Sequence, residues 1–133
     1  DEIKSLKRIL DAVNKTGRPV LCFIDEVLRG TNTVERIAAS SEILKNLNTD
    51  RALCFAATHD VELTSILKDC YSNYHFQEEV TEDEVKFDYK LYAGPATTRN
   101  AIKLLNVIGY DKNIIKGAEQ RAMHFLTDGN WKS

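Results

Sequence analysis

The apolar run Val20-Leu21-Cys22-Phe23-Ile24, ending in Asp25-Glu26, constrains this chain more than any other stretch. A short, wholly apolar run closed by charge reads as a buried strand. A second such run, Ala52-Leu53-Cys54-Phe55-Ala56-Ala57, closes on Thr58-His59-Asp60. Between them Val34, Ile37, Ala38, Ser41, Leu44 and Leu47 recur at helical spacing, with Asn32 and Glu35 placed as an N-cap pair. Strand, helix and strand in that order make a βαβ unit, whose strands must run parallel. The fold class is therefore α/β.

Parallel strands place their C-terminal ends on one sheet edge, where open α/β sheets bind ligands. Asp25-Glu26, the loop Arg29-Gly30-Thr31-Asn32-Thr33 and Thr58-His59 would share that edge. Two adjacent carboxylates there suit a Mg²⁺-nucleotide site: one holds the metal through its water shell, the other orients or deprotonates a water. A histidine one strand away can donate to a phosphate and stabilise developing charge. In isolation, a core strand ending in two solvated acids looks the same. A metal-dependent hydrolase using Asp25, Glu26, His59 and Asp60 directly is a further alternative.

The chain's 133 residues suffice for one domain with a real core. A formal net charge of −2 argues against a whole-domain nucleic-acid footprint. No apolar run approaches the roughly 20 residues that span a bilayer, and Asp1 to Arg8 does not read as a signal peptide. The three cysteines, Cys22, Cys54 and Cys70, read as reduced thiols, which suits a cytoplasmic protein.

Flanking segments complete the outline. Ile3, Leu6, Ile9, Leu10 and Val13 mark a first helix, with Gly17 as its C-cap and Pro19 preventing continuation. Asp60 is placed to cap a short helix through about Leu67. Tyr74 and Phe76, then Val85 to Leu91, alternate as an antiparallel pair around an acidic turn holding Glu78, Glu79, Glu82, Asp83 and Glu84. After Gly94-Pro95, Thr97 or Thr98 caps a helix through Ile108. Asp111 caps a last helix through Leu126, and Gly129 to Ser133 reads as a frayed tail. Two helices joined so closely have a helix-turn-helix-like shape. Lys103, Lys112, Lys116 and Arg121 are too dispersed among acids to mark a DNA-reading face. His75 and His124 are expected to be structural.

Ile24-Asp25-Glu26, then Leu28-Arg29-Gly30-Thr31-Asn32-Thr33, then Ala57-Thr58-His59 resembles the ATPase domain of MutS-type mismatch-repair proteins, in the ABC ATPase class. The family pattern is hydrophobic-Asp-Glu, Gly-Arg-Gly-Thr-Ser-Thr and Ala-Thr-His. The resemblance implies part of a P-loop NTPase (ABC-type) sheet with a parallel βαβ core, an antiparallel strand pair and a C-terminal helical pair. It implies that residues 1–93 are the C-terminal half of an ATPase domain and 94–133 a helical dimerisation element. Asp25 then becomes the Walker B acid at Mg²⁺, Glu26 the catalytic carboxylate and His59 the switch histidine. Gly30, Thr31, Asn32 and Thr33 match the D-loop, which packs across an ATP sandwich with a second copy. Glu2 would follow the signature segment. Leu28 for Gly, Asn32 for Ser and the stretch Ala96 to Ala101 depart from the usual pattern and imply a divergent MutS-related ATPase.

No Gly-x-x-x-x-Gly-Lys-Ser/Thr occurs in the chain. That P-loop supplies the backbone cradle and lysine for the phosphates. The expectation is therefore a C-terminal piece of a longer ATPase, inactive alone, with DNA met by regions outside it. Such a piece would also leave apolar sheet surface uncovered. The competing function is a non-enzymatic dimerisation or assembly module.

Overall fold

The computed structural model describes residues 1–15, 17–97 and 100–133. They divide into two compact units, 1–74 with 93–95 and 75–92 with 96–133.

In the first unit, α1 (Glu2–Lys15) buries Leu6 and Val13, while Ile3 at the start of the stripe stays exposed. Gly17 follows with φ 63°, a left-handed conformation that glycine adopts without a Cβ penalty. Strand β1 (Val20–Asp25) pairs in parallel with β2 (Ala52–Ala57), Val20 opposite Ala52 through Asp25 opposite Ala57. The crossover is α2 (Thr33–Leu47), started by Asn32, whose Oδ1 accepts from the Val34 and Glu35 amides. Its buried residues are Ser40, Ser41, Leu44 and Leu47, and Ile37 packs half-buried against the core, so the expected stripe fails only at Val34 and Ala38. Val34 is 76% exposed and Ala38 also faces solvent.

The core joins Leu6 and Val13 of α1, Ile24 of β1, Val27, Leu28, Leu44, Leu47, Leu63 and Leu67. It lies on one face of the two strands. On the other, Leu21, Phe23, Leu53 and Phe55 are exposed, and the two phenyl rings stack 5.4 Å apart. The open face agrees with the expectation that such a piece leaves apolar sheet surface uncovered; the strands alone read as buried, because an unbroken apolar run cannot by itself distinguish one covered face from two. Cys22 and Cys54 stand opposite each other, and all three cysteines are free thiols. Burial, then the neighbouring Cys22, pushes the Cys54 thiol up to about 12.

Helix α3 (Glu62–Ile66) follows β2. Asp60 does not cap it: Val61 holds the N-cap position without a side-chain bond, and the Asp60 carboxylate is taken by Arg36.

The chain passes into the second unit through two-residue strands, β3 (Tyr74–His75) and β6 (Tyr92–Ala93), which pair with each other. Between them β4 (Glu78–Val80) and β5 (Val85–Phe87) form an antiparallel hairpin. Glu78 and Glu79 therefore lie in a strand, and the turn proper is Thr81 to Glu84, closed by Thr81 N donating to Glu84 O at 2.9 Å. The alternation expected to reach Leu91 ends at Phe87. There Asp88 Oδ1 accepts from Lys90 N, and Tyr89 takes φ 55°.

Helix α4 (Ala101–Ile108) ends at Gly109, φ 93°, and α5 (Lys112–Asp128) begins at Asp111, whose side chain accepts from Asn113 N. The cap expected at Thr97 is not there, since α4 starts after Asn100; Thr98 lies outside the described residues. Asn100 does not cap α4 either. Its amide donates to the Glu78 carboxylate at 3.0 Å, tying the helix start to β4. The tail after Gly129 is held down: Trp131 stacks on Phe125 at 4.3 Å, and Arg121 donates to Lys132 O. His75 stacks on Tyr92, and His124 faces Asp128 at 2.8 Å.

Candidate functional site

The C-terminal ends of β1 and β2 build the site, within the first unit. The ladder runs one residue beyond Asp25, with Glu26 N donating to Ala57 O at 2.9 Å. That bond sets Glu26 beside Thr58 and His59. Glu26 then turns into the left-handed region, φ 52°, a conformation non-glycine residues hold only when their surroundings over-determine it. Its carboxylate meets His59 Nε2 at 3.2 Å through Oε1 and Arg29 Nη1 at 3.3 Å through Oε2. Asp25, one residue earlier, is exposed at the same edge. Asp25 and Glu26 are hard oxygen donors of the kind Mg²⁺ accepts together with waters and phosphate oxygens; among the described residues no group of three or more His, Cys, Asp or Glu gathers to hold a metal ion unaided.

The loop after Glu26 is held from several sides. Leu28 is also left-handed, φ 55°, and its amide donates to Glu2 Oε1 at 2.6 Å. The Thr31 hydroxyl donates to Leu28 O at 3.2 Å. Gly30 has φ 87°, and a Cβ added to it would meet no atom within 4 Å, so conformation rather than crowding favours glycine there. Asn32 is engaged as the cap of α2, and Thr33 is that helix's first residue. Of the expected binding residues, these two thus have a demonstrable local role in starting α2.

Two depressions meet here. One, about 400 Å³, runs between α1 and the end of β1 and is lined by Glu2, Phe23, Asp25, Glu26 and Arg29 among others. The other, about 200 Å³, is lined by Glu26, Val27, Arg29, Gly30, Arg36, Thr58, His59 and Asp60. Glu26 and Arg29 border both.

A family model described as MutS domain V matches residues 1–126. The chain belongs to that family. Curated relatives agree. It is 28% identical over 130 residues to DNA mismatch repair protein MutS 2 of Haloarcula marismortui, which covers 96% of this chain and 13% of that protein. It is 30% identical over 115 residues to DNA mismatch repair protein MutS of Aquifex pyrophilus, covering 84% of this chain and 14% of that protein. With the MutS of Natronomonas pharaonis the identity is 32% over 122 residues, covering 90% and 14% respectively. This MutS domain V chain therefore spans about one seventh of the length of such relatives.

Arg36 is the site residue of this MutS domain V that sequence reasoning missed. It donates from Nε and Nη2 to the two Asp60 carboxylate oxygens at 2.7 and 2.6 Å, and from Nη1 to Thr31 O at 3.1 Å. The Arg36 guanidinium holds the Asp60 carboxyl below its ordinary value, and Asp60 in turn raises Arg36. Asp60 is thereby committed to an ion pair, which counts against its use in a metal pair with Asp25. One signal was available: a cation in the first turn of a helix opposes the helix dipole, so an arginine there points to an anion elsewhere.

Among the described residues, no helix is long and apolar enough to cross a membrane.

Proposed function

We propose that this chain is the Walker B side of an ATP-hydrolysing site in a divergent MutS-related, DNA mismatch repair-type protein. The observation that carries the proposal is the meeting of Glu26 and His59 at 3.2 Å on the C-terminal edge of the parallel pair, next to Asp25. In this reading β1 and β2 belong to an ABC-type P-loop sheet, with the P-loop supplied by sequence outside residues 1–133. Residues 1–93 form the C-terminal half of the ATPase domain. Residues 94–133 form a helix-turn-helix-like pair that serves dimerisation. The free thiols suit a cytoplasmic setting.

Asp25 would hold the Mg²⁺ of bound MgATP, an ion that neutralises phosphate charge. Glu26 orients the lytic water and accepts its proton, and His59 donates a hydrogen bond toward the γ-phosphate. Gly30, Thr31, Asn32 and Thr33 face a second copy across the nucleotide. DNA is engaged by regions outside this chain.

The test is ATP turnover by the complete protein. Glu26→Gln should lower kcat by about 10²- to 10⁴-fold, the range for losing a general base, while ATP still binds. Residues 1–133 alone should show no turnover. Hydrolysis by this piece, abolished by Glu26→Gln, would refute the half-site reading.

The exposed Met123 and Leu126, three residues apart on one side of α5, favour a second reading, an assembly module. A complete protein shortened to end near Ala93 separates the two. Unchanged oligomer and activity would dismiss the assembly role.

A further inference from the structure

We infer that Arg36 is a positioning residue that joins the loop leaving β1 to the loop leaving β2, and so sets His59 against Glu26. The inference rests on the ATP-site reading for its consequence in catalysis, but its geometry stands independently.

His59 is an unusual residue to find well placed. Its side chain is 90% exposed, so packing does not fix the ring. Its position must come from the backbone of Thr58 to Asp60. That backbone has a local turn, Asp60 N donating to Thr58 Oγ1 at 3.0 Å, and among the described residues its side-chain anchor from elsewhere in the fold is the Arg36–Asp60 pair. The pair is largely sheltered, with side chains 20% and 12% exposed, and it is bidentate. A guanidinium bound through two parallel N–H groups fixes direction as well as distance. The third nitrogen, Nη1, reaches the main-chain carbonyl of Thr31 on the other loop. A closed circuit results: Glu26, along the chain to Thr31, through Arg36 to Asp60, back one residue to His59, and across 3.2 Å to Glu26. A displacement of the Gly30 to Thr33 loop, where a second copy is proposed to sit, therefore reaches His59 through two side chains, Arg36 and Asp60.

The experiment records the ring resonances of His59 in this chain for wild type, Arg36→Lys, Arg36→Gln and Asp60→Asn. His75 and His124 serve as internal controls, and the methyl groups of Leu44 and Leu47 report the core. Arg36→Gln and Asp60→Asn should both move the His59 signals and reduce amide protection at residues 58–60, with the controls unmoved. Arg36→Lys, which keeps the charge but lacks the fork, should restore the wild-type spectrum only in part. In the complete ATPase, Arg36→Gln should lower kcat by about tenfold to a hundredfold, as expected for a misplaced reacting group, with KM for ATP little changed. If one variant fails to fold, the other decides. An unmoved His59 in a folded variant overturns the inference. A wild-type complete protein without ATP turnover would defeat the nucleotide reading, while the His59 spectra would still decide the role of Arg36.

Discussion

Leu28 combines two opposed properties. Its backbone is left-handed, φ 55°, and its side chain is only 7% exposed within the core. A left-handed conformation costs a non-glycine residue roughly 1–2 kcal/mol. Truncating a buried leucine costs about 2–5 kcal/mol. Packing is the larger effect, so Leu28→Gly should destabilise the chain by about 1–3 kcal/mol, although it restores the residue typical of the family pattern. Urea unfolding with an unchanged m-value would measure it; a gain in stability would mean that strain dominates. Asp60 yields a pH prediction. Arg36 holds its folded pKa below the ordinary 3.8, so the unfolded chain takes up the proton first as the pH falls. The pair's contribution is complete above the unfolded value and is lost as the pH drops through the folded one. The stabilities of wild type and Asp60→Asn, followed by acid unfolding, should therefore differ at neutral pH, begin to converge below about pH 4 and meet only under the folded value. Asp25, Glu26 and His59 were legible because their residue types stand at predictable strand ends. Arg36 was not, because its partner lies 24 residues away and only the fold brings them together.

Among the helices and strands, local chemistry was readable wherever it acts within a few residues. Asn32 starts α2 through two amide bonds, and Asn32→Ala should cost about 1 kcal/mol, the usual worth of such a cap. Thermal unfolding by circular dichroism would register that loss. The cap at Asp111 was legible for the same reason, whereas Gly129, expected to open a frayed tail, closes α5 with its amide on Phe125 O. The start of α4 was not, because Asn100 bonds to Glu78, 22 residues back. The hairpin shows the same limit. Residues 85 to 91 alternate as a strand should, yet the ladder ends at Phe87, where Asp88 takes the Lys90 amide and Tyr89 turns left-handed. Alternation records which side chains are apolar; it does not record where a short polar side chain finds its own backbone.

The open face of the β1–β2 pair is the dominant feature of the chain taken entire. Parallel strands are normally covered on both faces, yet Leu21, Phe23, Leu53 and Phe55 are 54–71% exposed. On the proposed reading the rest of the ATPase covers them. Residues 1–133 alone should self-associate through this face as concentration rises. Phe23→Ser with Phe55→Ser should shift sedimentation toward the monomer, at a stability cost of about 1 kcal/mol from the lost ring stack. Unaltered association would place the contact elsewhere. The division into two units has a further consequence. The chain crosses between them at residues 74–75, 92–93 and 95–96, so neither unit is a continuous stretch. A cut in the turn between Glu82 and Asp83 would leave β4 on one piece, with β5, α4 and α5 on the other. Only reassociation of the pieces could rebuild the second unit, which makes that turn a natural place to divide the chain into a complementing pair.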